Sequence, residues 1–141
     1  MLDKIMRALQ DATDAIKVQA ANLGEGAKEK SEQLIDDWLQ TFPKLQKYGL
    51  QMNSFALQIA LSPSLEAEFL GHHHEFTVER LEEILNDCKG NTALVSVFTA
   101  IKTTYVLHQK TRLSPIEPLI VRLRIKIAPE IKVYIGKPLL D

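Results

Sequence analysis

The sequence predicts an α+β fold: one antiparallel sheet of about four strands, one face covered by helices, arranged as two pseudo-duplicated α-α-β-β units. Three observations carry that expectation. The runs "FALQIALSPSLEAEF" (55–69) and "VRLRIKIAPEIKVYI" (121–135) place apolar residues at every second position on both sides of a proline, the period of a strand buried on one side. Each run follows two stretches with helical spacing. A shift of 66 residues lays Pro63 on Pro129, Phe55 on Val121, Leu57 on Leu123, Ile59 on Ile125, Leu65 on Ile131 and Phe69 on Ile135, the sign of an internal repeat.

The elements follow in order. Leu2, Ile5, Met6, Leu9, Ala12, Ile16, Ala20 and Leu23 form one helical stripe that "GEG" (24–26) ends. A second helix starts near Lys28, with Leu34, Ile35, Trp38, Leu39 and Phe42 on one side. Thr41 and Pro43 fit the cap and first position of a separate short turn, closed by Gly49. After the first alternating run comes "GHHHEF", then Thr77 as the N-cap of a helix carrying Val78, Leu81, Ile84, Leu85 and Cys88, stopped by Gly90. Residues 91–110 are apolar nearly all round, and their length and the Phe98–Ile101 and Ile101–Tyr105 spacings favour a buried helix. "SPIEP" (114–118) is a turn, and strand resumes from Val121 to Ile135.

The shift divides a single domain, 1–141, into halves of about 1–71 and 72–141. The outward positions of the first strand unit are Ala56, Gln58, Ala60, Glu66 and Glu68; those of the second are Arg122, Arg124, Lys126 and Lys132. Opposite charges facing across neighbouring strands contribute ~0.2–1 kcal/mol per pair. The acidic strand is therefore expected beside the basic one. Each proline fits either a hairpin turn or a bend in one long strand. Leu123, Ile125, Val133, Phe55 and Ile59 are expected to be buried, Arg124 and Glu68 exposed.

Composition narrows the function. An apolar fraction of 45%, a charged fraction of 25% and a formal charge of −1 are ordinary for a soluble globular protein and create no field for nucleic acid. The single cysteine cannot form an intramolecular disulfide. The first residues lack the apolar core of a signal peptide, and no run approaches the ~18 apolar residues of a membrane span. A cytoplasmic protein with no transmembrane segment is the default expectation.

Chemistry is sparse. His72 and His74 point the same way in an extended segment and could both ligate a metal, with Glu75, Cys88 or His108 completing the set, but zinc wants three or four ligands. His108 suits a helix end, and Cys88, next to Asp87, suits a small buried hydrophobe rather than a nucleophile. Arg122, Arg124, Lys126 and Lys132 form a row at about 6.6 Å spacing that could track an anionic partner. Sheet platforms for nucleic acid show several exposed aromatics, and here only Tyr134 qualifies, so no nucleic-acid role is expected. No nucleotide, hydrolase or dinucleotide motif is present. The sequence thus points away from an enzyme and implies no cofactor.

The expected function is a non-catalytic interaction or assembly module, self-associating as a homo-oligomer or binding a protein partner. The first alternative is a binder of lipid or another hydrophobic ligand, lined by Trp38, Phe42, Leu94, Phe98 and Ile101, or meeting a membrane surface through the N-terminal helix. The second is a metal-binding protein using the histidine cluster.

Overall fold

The computed structural model describes residues 25–61, 63–126 and 128–139; the expected N-terminal helix, 2–23, lies outside the described residues. Three helices and a four-stranded antiparallel sheet follow in the order α1 (Glu25–Lys47), β1 (Gln51–Gln58), β2 (Ser64–Gly71), α2 (Val78–Asp87), α3 (Thr92–Gln109), β3 (Leu119–Ile125) and β4 (Glu130–Ile135). A short 3-10 turn, His73–Glu75, stands between β2 and α2.

In α1, Ile35, Trp38, Leu39, Phe42 and Leu45 are all buried, three or four residues apart along one side. The helix runs through Pro43 instead of breaking into the separate turn expected at Thr41. Proline removes one N–H, the one that would reach Leu39. The Thr41 hydroxyl meanwhile donates to the Asp37 carbonyl at 2.9 Å, so Thr41 bonds within the helix and caps nothing. The end of α1 is well defined. Leu50 N–H reaches the Leu45 carbonyl and Gly49 N–H that of Gln46, the paired bonds of a Schellman motif. Gly49 carries a φ of 112° there, open to glycine at little cost, and Leu45 and Leu50, both fully buried, complete it.

The start of α2 agrees with expectation, and α3 proves to be capped as well. The Thr77 hydroxyl accepts from Arg80 N–H, and the Asn91 side chain accepts from Leu94 N–H, each satisfying an otherwise unpaired donor.

The strand order is β1-β2-β3-β4, so both prolines lie in hairpin connections and neither bends a long strand. β1 pairs with β2 through Phe55↔Ala67 and Leu57↔Leu65, with an irregularity between Met52 and Ser54. β3 pairs with β4 through Val121↔Val133 and Leu123↔Ile131. Adding 66 to every residue of the first two pairs gives the second two. Gln58↔Ser64 likewise becomes Arg124↔Glu130. The two hairpins therefore share one register.

Between them, β2 and β3 pair with Leu65 opposite Ile125, Ala67 opposite Leu123 and Phe69 opposite Val121. These six side chains are at most 1% exposed and join residues of all three helices in one buried cluster. The expectation held for Leu123 and Ile125, whereas Val133 is half-buried.

Three burial expectations are corrected. Phe55 is 45% and Ile59 59% exposed. Phe42 explains the difference. Its ring packs against Phe69 at 5.4 Å and against Phe55 edge-on at 6.5 Å. Phe69 is flanked by strands on both sides, while β1 has no outer neighbour among the described residues. Glu68, expected to be exposed, has a side chain only 17% exposed, because Arg122 lies across it.

Candidate functional site

Three places bring chemistry-bearing residues together. The first is the charged side of the sheet. Register sets Glu66 opposite Arg124 and Glu68 opposite Arg122, as the charge pattern predicts. Arg122 Nη2 lies 2.9 Å from Glu68 Oε2, and its guanidinium stands 5.2 Å from the centre of the Tyr134 ring. Arg124 meets Glu66 at 2.9 Å and Glu130 at 3.7 Å, and Lys126 meets Glu130 at 3.1 Å. The Lys126 ammonium holds the Glu130 carboxyl below its ordinary range. Lys132 lies over the other contact to Tyr134, 5.1 Å from the ring centre. The four cations expected to follow an anionic partner thus each have a carboxylate or an aromatic ring already against them.

The second place is the histidine junction. The segment bends into the 3-10 turn instead of staying extended. The His72 and His74 rings nevertheless share a side, stacked with centres 5.7 Å apart. Among the described residues no three or more His, Cys, Asp or Glu side chains converge to hold a metal ion. His73 is the most connected of the three. Its Nε2 lies 2.6 Å from the Ile116 carbonyl and its Nδ1 2.6 Å from the Tyr105 hydroxyl. A carbonyl only accepts, so Nε2 carries a proton, and in the neutral ring Nδ1 then accepts from the Tyr105 hydroxyl. The His73 backbone N–H donates to Glu117 at 3.1 Å. Burial and the charge of Glu117 push the Tyr105 hydroxyl pKa up, which keeps it a donor. These bonds tie the turn after β2 to α3 and to the segment entering β3.

The third place is β1. Its sequence, QMNSFALQ, contains no charged residue, and every residue except half-buried Leu57 is exposed. Met52 and Phe55, together with Ile59 and Leu61 beyond the strand, are large exposed hydrophobics. Sequence reasoning placed this apolar parity inside the core. Alternation carried no signal of its place at an edge, because a period of two reports one side of a strand and not its neighbours.

The remaining expected site residues are core. Trp38, Phe42, Leu94, Phe98 and Ile101 are at most 5% exposed and belong to the same buried cluster. Tyr48 stacks edge-on against Phe98 at 5.3 Å. Cys88 is 4% exposed, and burial raises its thiol pKa, which disfavours the nucleophilic thiolate. No helix among the described residues is long and apolar enough to cross a membrane.

Comparison with protein-family models, with curated proteins and with solved structures finds no match.

Proposed function

We propose that this chain is a non-catalytic assembly module that associates with itself. The observation that carries the reading is the uncharged, exposed β1, whose Met52 and Phe55 extend the buried side of the sheet outward, where Phe42 meets Phe55 only edge-on and leaves it 45% exposed. Large apolar side chains grouped on an outer strand are poorly tolerated in a lasting monomer. The hydrophobic-ligand alternative is weaker, because Trp38, Phe42, Leu94, Phe98 and Ile101 pack among themselves and their neighbours as core.

The same reading treats the chain as a duplicated α-α-β-β unit whose helices cover one side of the sheet. The common hairpin register and the equivalence of α1 and α3 ahead of their hairpins support it. Multi-angle light scattering over the micromolar range tests the functional claim. The proposal expects a mass rising with concentration above the 15.9 kDa of one chain; a single-chain mass throughout contradicts it.

A further inference from the structure

We infer that the partner is a second copy, docked strand to strand through β1 about a two-fold axis at Ala56; this deepens the self-association reading and rests on it. The two outer strands of the sheet differ in one respect. β4 carries Glu130 and Lys132, both exposed, and charges on an edge oppose the approach of another strand. β1 carries none over its eight residues, and no proline or inward charge blunts it. Two β1 strands can therefore meet without like charges facing each other, whereas β1 against β4 would bury Glu130 and Lys132 beside uncharged residues. Pairing of β1 with β1 is isologous and uses up the open edge of both copies, which closes the assembly as a dimer. Pairing of β1 with β4 would leave a β1 and a β4 open and extend without limit.

The register follows from the irregularity. Pairing with β2 is interrupted between Met52 and Ser54 and continuous from Ser54 to Gln58. The middle of that regular stretch is Ala56, whose side chain shares a side of the sheet with Glu66 opposite it. An antiparallel two-fold pairing must keep facing residues on one side of the sheet. With the axis at Ala56, the two Ala56 residues face each other. Ser54 faces Gln58 of the second copy, and Phe55 faces Leu57 of the second copy. The last pairing sets the exposed Phe55 ring beside an aliphatic side chain, the cross-strand contact that aromatic residues favour. Two four-stranded sheets thereby join into one of eight strands.

Single cysteines read this register. In a Cys88→Ala background, Ala56→Cys should give a covalent dimer on mild oxidation, since the two residues stand within disulfide reach. Ser54→Cys alone should give almost none, because its two copies are about 14 Å apart along the strands in this register. A mixture of Ser54→Cys and Gln58→Cys chains should cross-link to each other. Light scattering on the same samples separates the possible failures. A dimer by mass that cross-links at Ser54 but not at Ala56, or at neither, overturns the docking while self-association stands. A monomer by mass overturns both. If its Ala56→Cys thiol resists a maleimide reagent, β1 is covered from within the chain by residues 1–24. If the thiol reacts freely and a different protein is retained on the strand, the partner is not a second copy.

Discussion

Arg122 and Glu68 face each other across β3 and β2, with Nη2 and Nε of the guanidinium 2.9 and 3.3 Å from one carboxylate oxygen. The pair is more enclosed than its neighbour: side-chain exposure is 28% and 17%, against 48% and 35% for Arg124 and Glu66. Arg122 Nη1 also reaches the Tyr134 hydroxyl at 3.3 Å. A charge-assisted bond that water cannot readily replace is worth more than a solvated one.

Glu68→Gln should therefore lower stability by about 1–2 kcal/mol, and Glu66→Gln by only ~0.2–1 kcal/mol. Urea unfolding reads this as a larger drop in midpoint for Glu68→Gln at unchanged slope. Equal losses at the two positions would show that enclosure makes no difference here.

Ile125 and Ile59 carry identical side chains and are equivalent under the 66-residue shift, yet Ile125 is fully buried and Ile59 is 59% exposed. Ile125→Ala should cost about 2–5 kcal/mol through lost transfer energy and the cavity left behind. Ile59→Ala should stay within about 0.5 kcal/mol in dilute solution. Thermal unfolding of both variants checks the pair, and a large loss at Ile59 would place it in the core after all.

Gly71 is pinned by close approach. A Cβ there would lie 2.8 Å from Phe76 Cε2 and 3.0 Å from Leu50 Cδ2, and both neighbours are at most 2% exposed. Gly71→Ala should cost about 1–3 kcal/mol by overpacking. Trimming the ring with Phe76→Leu should recover part of that loss in a double-mutant cycle. Strictly additive losses would mean that the added methyl group and the ring do not meet.

The Tyr48 hydroxyl donates to Asp87 at 2.5 Å, joining the end of α1 to α2. That hydrogen bond, with burial and the carboxylate's charge, pushes the Tyr48 pKa up to about 12. A raised folded pKa means that the proton is held more tightly in the fold. Its contribution is fully present below pH ~10, the unfolded value, and is lost as pH rises through the folded value. Tyr48→Phe should melt lower than the parent at neutral pH, and the gap should narrow in strongly alkaline solution. A constant gap would mean that Tyr48 contributes through packing on Phe98 alone.

The parts of the fold readable in the sequence were those set by local pattern. Alternation located β2, β3 and β4, the cap residue Thr77 started its helix, and the opposed charges of Glu66, Glu68, Arg122 and Arg124 anticipated which strands are neighbours. Alternation reports a side of a strand and not its place in the sheet. That is why Phe55 and Ile59 were expected inside. The beginning of β1 at Gln51 was missed because Asn53 and Ser54 fall where the pairing is irregular, so the period of two breaks there. The bonds of His73 were not foreseen for a different reason. Its partners, Tyr105, Ile116 and Glu117, lie 32 to 44 residues away, and no local spacing announces them.

Hydrogen exchange measured at low and at high micromolar concentration tests the central claim most directly, because docking through β1 must protect backbone that dilution exposes. The amides of Gln51–Gln58 should gain protection with concentration, while those of Glu130–Ile135 exchange at the same rate throughout. Concentration-independent exchange in β1, or protection gained in β4 instead, would contradict the account.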